Sequence, residues 1–258
     1  MPTHALGIDL AGDKASPTGI VEVVVHDGVV HVTDALVLVG ERDRLLERCI
    51  AFEGDIAIDQ PFGYSRHHEA LIAGTKVDRH LDAEQIRFRE VDRLARDQLA
   101  EAGLKRDYVL AATSCDNLWR ALLILQAANV DLRQARSGVA RIVETHPRLA
   151  IFSLLQGDDQ RSELVRTYKS GRARDEARAV RAALIDEWLE AGWLCCESAV
   201  FVEALSRTDD VFEALVAALA ALAKTLNIAE RLGDPEEGVY VLPPRLAVLR
   251  RRLEEGRG

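Results

Sequence analysis

Residues 5–10 read Ala5-Leu6-Gly7-Ile8-Asp9-Leu10, a short apolar run with one carboxylate inside it, followed by Ala11-Gly12. A run of this kind bounded by a glycine turn predicts a buried strand. Downstream, Gly19-Ile-Val-Glu-Val-Val-Val25 is rich in β-branched residues and begins after Pro17, Asp27-Gly28 is a two-residue hairpin signal, and Val29 to Leu38 supplies the return strand. Three strands joined by tight turns predict an antiparallel meander. Arg42 to Phe52 then carries Leu45, Leu46, Cys49 and Ile50 on one helical face, Gly54 ends it, and Asp55-Ile-Ala-Ile-Asp59 forms a short buried strand closed by Pro61 and Gly63. A strand–helix–strand run is a crossover unit, which places Asp55–Asp59 in the sheet parallel to a neighbour.

Residues 64–135 read as a helical insertion. Glu84 to Ala102 is a charged helix, and Asp116 to Ala128 is a helix with an apolar stripe through Leu118, Leu122 and Leu125. Between them Val109 to Thr113 fits either a strand or a buried loop. Val139 to Glu144 reads as a strand stopped by Pro147, and Arg174 to Ala191 as a helix with Val180, Leu184 and Leu189 inward. Asp210 to Leu232 is apolar on most sides, which predicts one long buried helix. Gly238 to Leu242 closes the sequence of elements before Pro243-Pro244. The expected architecture is one α/β domain over 1–245: a mixed sheet, an antiparallel three-strand meander plus parallel strands, flanked by helices. Residues 246–258, with Arg250-Arg-Arg252, form a charged tail read as a solvated helix end.

The composition fits a folded chain. Of 258 residues, 48% are hydrophobic and 29% charged, enough apolar material for a sizeable core. Lys and Arg number 33 against 42 Asp and Glu, a net charge of −9 that argues against a charge-driven nucleic-acid coat protein. The four cysteines include no C-x-x-C pair, which excludes a disulfide framework or zinc ribbon as the organising principle. The apolar run Ala214 to Ala223 is shorter than the ~20 residues of a membrane span. The opening Met1 to Gly7 lacks a basic segment followed by an apolar one. A soluble, reduced, cytoplasmic protein with no membrane partner is expected; oligomeric state is open.

Several carboxylates fall where chemistry is expected. Asp9 sits within the first strand, Asp59 ends the crossover strand, Glu144 ends a later strand, and Asp210 and Glu213 share one face at the start of the long apolar helix. Each alone reads as a turn or helix cap, and Asp210 could simply favour the helix N-terminus. Jointly, carboxylates at the carboxyl ends of strands and on a buried helix form a hard-oxygen site suited to Mg²⁺ or Mn²⁺.

The opening Gly7-Ile-Asp-Leu-Ala-Gly12 with Thr18-Gly19 resembles the start of ribonuclease H-like folds. More specifically, the chain resembles the DUF429 family of predicted nucleases. The matching segments are Ala57-Ile-Asp-Gln-Pro61, Phe88-Arg-Glu-Val-Asp-Arg93, Glu144-Thr-His-Pro147, Tyr168-Lys169, Asp210 to Ala218 and Glu237-Gly238 running to Pro243, in family order over roughly residues 5–244. The resemblance implies a metal-dependent hydrolase acting on phosphodiester bonds. Asp9, Asp59 and Asp210 would be the metal ligands, with Glu144 and Glu213 as further catalytic residues. Glu213 departs from the Asp usual in the family, which makes Asp210 the expected helix ligand.

Substrate handling needs positive charge near these acids. Lys169, at a family position, and Arg172 are the candidate phosphate contacts, within a basic stretch that continues through Arg174, Arg178 and Arg181. Arg66-His67-His68 is a second candidate. A charge run on a helix also reads as a solvated face, and the residues around Arg89, Glu90, Asp92 and Arg93 as an internal salt-bridge network. Trp119, Trp188 and Trp193 read as packing rather than a base-stacking platform, and Cys115 as buried packing. Two other classes compete with a nuclease. One is a non-catalytic binding or scaffold protein on the same fold. The other is an actin-like or sugar-kinase-type ATP-binding protein, for which the sequence lacks a second glycine-rich phosphate loop.

Overall fold

The computed structural model describes residues 3–10, 16–78, 80–112, 118–169 and 174–256. The expected meander is present as β1 (Thr3–Asp9), β2 (Pro17–His26) and β3 (Val29–Val39), antiparallel throughout. Asp27 and Gly28 both take positive φ at the hairpin tip, the conformation that makes Asp-Gly a hairpin signal. Helix α1 (Arg42–Ala51) then crosses to β4 (Asp55–Asp59), parallel to β1. The turn expected at Ala11-Gly12 lies outside the described residues.

Between β4 and β5 (Ile142–Glu144) the chain forms α2 (Arg66–Ile72), α3 (Ala83–Arg87), α4 (Glu90–Glu101), a 3₁₀ turn at Arg106–Tyr108, α5 (Leu118–Ala127) and α6 (Leu132–Arg136). The single helix expected over Glu84–Ala102 is broken at Phe88-Arg89. There the extended Arg89 backbone N–H donates to the Asp92 carboxylate at 3.0 Å and starts a new helix. Val109, Ala111 and Ala112 are a buried loop rather than a strand.

After β5 come α7 (Pro147–Leu154), α8 (Arg161–Thr167), α9 (Arg174–Glu190), β6 (Leu194–Cys196), α10 (Ala199–Arg207) and α11 (Asp209–Thr225). Pro147 ends the strand as expected, and it also occupies the first turn of α7, where its missing N–H costs nothing. The long helix expected to reach Leu232 stops at Leu226. Asn227 takes φ +57°, and the chain turns into an antiparallel hairpin of β7 (Glu230–Asp234) and β8 (Gly238–Leu242). Helix α12 (Leu246–Glu255) follows; its Leu249 and Leu253 are buried in the core, so one face of the charged tail packs while the other carries the arginines.

The strands form one sheet in the order β6-β3-β2-β1-β4-β5-β8-β7, parallel from β1 through β4 and β5 to β8, antiparallel across β3-β2-β1 and at β8-β7, and parallel again where the edge strand β6 joins β3. Helices cover both faces. Alternation along β1 sends Leu6 and Ile8 to the face covered by α1, α5 and α6, and Ala5 to the face of α11. Gly7 shares that second face, and a Cβ placed on it would lie 1.9 Å from the Ala214 carbonyl oxygen. One on Gly19 would lie 2.1 Å from the Asp210 carbonyl oxygen. Glycine at these two positions therefore lets α11 lie directly on β1 and β2, with Val211 to Ala223 buried along its length. That close approach sets the position of every acidic residue on the helix.

Candidate metal centre

Asp9 and Asp59 are register partners at the carboxyl ends of the parallel neighbours β1 and β4. Paired positions on adjacent strands point to the same face, so both carboxylates lie on the side of α11. Glu213, one turn into α11, completes the group: one carboxylate oxygen from each of Asp9, Asp59 and Glu213 lies within 4.8 Å of the others. The three line a cavity of about 460 Å³ together with Gln60, Thr145, His146, Arg148 and Lys169, among others.

The electrostatics of the three differ. Asp9 and Asp59 are enclosed by protein but open to the cavity, and neither forms an ion pair among the described residues. Burial pushes the Asp9 carboxyl well above the usual carboxylate range, and Glu213 and Asp59 push it further. Burial, followed by the charges of Glu213 and Glu144, drives Asp59 up to about 8 against the partial pull of Lys169. Glu213 behaves in the opposite way. Burial alone would raise it, but Lys169 Nζ at 2.5 Å and the Tyr168 hydroxyl, donating at 2.6 Å, hold it below the usual range. The site thus contains one carboxylate with a protein cation and two without.

That donor set fits a hard divalent cation. Mg²⁺ and Mn²⁺ take oxygen ligands, keep open positions for water or phosphate, and offset the like-charge repulsion that otherwise makes this group costly.

The remaining sequence candidates separate cleanly. Asp210 is half-buried, its backbone against Gly19 of β2, and lies outside the three-carboxylate group. Burial and the neighbouring Asp209 and Glu213 raise its carboxyl to about 6. The helix residue that joins Asp9 and Asp59 is Glu213, not Asp210, because the glutamate sits one turn deeper and carries one more methylene.

Glu144 is committed elsewhere. The register pairs it with Ile58, one position short of Asp59; it lines the same cavity as Asp59, but its oxygens are taken by other partners. Its Oε1 accepts from Arg89 Nη2 at 2.5 Å, and its Oε2 accepts from Arg89 Nη1 at 2.8 Å and from the Phe62 backbone N–H at 3.1 Å. Arg89 also donates to Asp92, which accepts from the Tyr240 hydroxyl at 2.7 Å. Burial raises the Glu144 carboxyl above its ordinary value against the opposing pull of Arg89. Glu144 belongs to the internal network expected around Arg89, and it holds the turn at Phe62, three residues beyond Asp59.

Of the basic candidates, Lys169 reaches the site and Arg172 lies outside the described residues. Arg181 is buried and donates to the carbonyls of Tyr168, Ser206 and Arg207, so it holds backbone rather than ligand. Arg178 pairs with Glu203 and Arg66 with Glu237. Trp188 and Trp193 pack on each other in the core with ring centres 5.2 Å apart, while Trp119 is 49% exposed. Cys115 lies outside the described residues. Two cavity residues escaped the sequence reading. His146 is kept neutral by burial, lowered to about 4, with Nδ1 accepting from the Leu149 N–H and Nε2 left to donate to the Tyr108 carbonyl. Arg148 follows it in α7. Their only sequence signal is adjacency to the Glu144-Thr-His-Pro147 segment.

No helix among the described residues is long and apolar enough to cross a membrane. No curated protein and no solved structure matches the chain. A family model does, over residues 7–238, a span running from β1 to the start of β8 and containing all three clustered carboxylates. The chain therefore belongs to the DUF429 family, described as proteins of unknown function.

Proposed function

We propose that this protein is a divalent-metal-dependent nuclease that hydrolyses phosphodiester bonds of nucleic acid on a ribonuclease H-like sheet. The observation that carries the reading is the convergence of Asp9, Asp59 and Glu213 at the ends of β1 and β4 and on α11, two of them without an ion-pair partner among the described residues. The meander β1–β3 continued by parallel β4 and β5, with helices on both faces, supports the ribonuclease H-like assignment. Mg²⁺ or Mn²⁺ held there would polarise a phosphoryl oxygen and lower the pKa of a bound water.

The chain's own groups divide the remaining work. Asp9 and Asp59 present their oxygens from rigid paired strands, so ligand geometry is fixed before substrate arrives. Lys169 and Tyr168 fix the Glu213 carboxylate in one orientation and keep it ionised. The Arg89–Glu144 pair holds the Phe62 backbone and with it the turn leaving Asp59. No covalent nucleophile is required.

The test is incubation of the protein in Mn²⁺ with end-labelled single-stranded DNA, duplex DNA, RNA, RNA–DNA hybrid and a four-way junction. Cleavage of at least one substrate by wild type, abolished in Asp59→Asn, is expected. Cleavage that survives Asp59→Asn, or no cleavage of any of the five, overturns the nuclease reading.

A further inference from the structure

Among the described residues Arg148 is a buried cation without an ion-pair partner. It is 9% exposed, yet no carboxylate lies within ion-pair distance among the described residues, and its one hydrogen bond there runs from Nη1 to the Val165 carbonyl at 2.9 Å. A guanidinium has five N–H donors, so most of its capacity is unspent. Its plane is held instead by aromatic rings, 3.8 Å from the centre of Tyr108 and 5.1 Å from that of Tyr168.

Nor does it serve the helix that carries it. Arg148 lies in the first turn of α7, where the helix dipole favours negative charge and a cation is unfavourable. Stacking on tyrosine recovers only part of the cost of burying an unpaired charge. A second observation points the same way. Gln60 and Thr145 line the same cavity as Arg148, and Gln60 Nε2 and Thr145 Oγ1 are buried with no hydrogen-bond partner. Two residues lining the cavity thus keep unspent hydrogen-bonding capacity, in a volume typical of small-ligand sites.

We propose that Arg148 is the phosphate receptor of this cavity, gripping a phosphate ester through its guanidinium fork beside Asp59 and Glu213. The inference rests on the metal-centre reading, since three carboxylates repel an anion until a cation is bound among them. Among the described residues lining the cavity, Lys169 is committed to Glu213, which leaves Arg148 as the cation directed at substrate. The helix N-terminus adds its partial positive charge on the same side.

The test is calorimetric titration of wild type, Arg148→Gln and Arg148→Lys, first with Mn²⁺ and then with inorganic phosphate or a nucleoside 5′-monophosphate, with a parallel phosphate titration lacking metal. Arg148→Gln should weaken phosphate binding about ten- to hundredfold, the worth of a charge-assisted bidentate contact. Its Mn²⁺ affinity should stay equal or rise, because a neighbouring positive charge has gone. Arg148→Lys keeps the charge without the fork and should fall between; its unfolding midpoint monitors folding. Tighter binding of the mononucleotide than of inorganic phosphate assigns the site to a nucleotide, and equal binding to free phosphate. Equal phosphate affinity in wild type and Arg148→Gln, or none in wild type, overturns the proposal. Absence of Mn²⁺ binding in wild type overturns the metal reading separately, and the phosphate difference between wild type and Arg148→Gln still decides the role of Arg148.

Discussion

Two groups of buried acids lie at neighbouring strand ends, and they are built on opposite principles. Glu144 and Asp92 surround Arg89, and the Tyr240 hydroxyl and the Phe62 N–H take up further lone pairs, so each carboxylate has a cation and neutral donors within the protein. Asp9 and Asp59 share their cavity with a third acid and one lysine already paired to it. The first arrangement is complete as folded. The second is complete only with something positive added. A carboxylate at a strand end is therefore not in itself a sign of function; what discriminates is whether the fold supplies its counter-charge.

Breaking each group should expose the difference. Arg89→Ala leaves Glu144 and Asp92 buried without their cation and should cost about 3–5 kcal/mol of stability. Asp9→Asn removes an uncompensated charge and should leave metal-free stability unchanged or higher. Urea unfolding of both variants without metal checks this, and equal losses would erase the distinction between the two groups.

The acidic group should also reveal itself through pH. Asp59 has its folded pKa raised to about 8, so the folded state holds a proton that the unfolded state releases near pH 4. The stabilisation is fully present below the unfolded value and is lost as pH rises through about 8. Asp210, raised to about 6, contributes over the lower part of the same window. Metal-free stability should decline across this range in wild type and decline less in Asp59→Asn. A wild-type profile that is flat or rising would contradict the charge imbalance.

The smallest effect is expected where a neutral group trims a charged one. Tyr168→Phe removes one donor from Glu213 while Lys169 remains, and should cost about 1.5 kcal/mol. Unfolding measurements on the single and double variants with Lys169→Met would show whether the two contacts act independently.

The meander, the crossover and the buried helix were legible because their signals are local: β-branched runs, Asp27-Gly28, and an apolar periodicity. What escaped depended on distant partners. Short β6 and polar β7 are strands because β3 and β8 pair with them. The break at Phe88-Arg89 exists because Arg89 must reach Glu144, 55 residues away. Asp9 and Asp59 stood out as acids in apolar strands, and the structure places them side by side. Glu144 carried the same signal, but its partner Arg89 lies 55 residues away, a pairing that a single sequence does not contain. Glu213 rather than Asp210 joins the group because Gly7 and Gly19 set how closely α11 approaches the sheet, a packing fact visible only in three dimensions.

The most direct test of the uncompensated site is Mn²⁺ titration by calorimetry of wild type, Asp9→Asn and Glu144→Gln. The account predicts binding in wild type and retention in Glu144→Gln. In Asp9→Asn it predicts a loss exceeding the roughly 10- to 100-fold that outer partners of a metal site are worth. Equal binding by wild type and Asp9→Asn, or no binding by wild type, would contradict it.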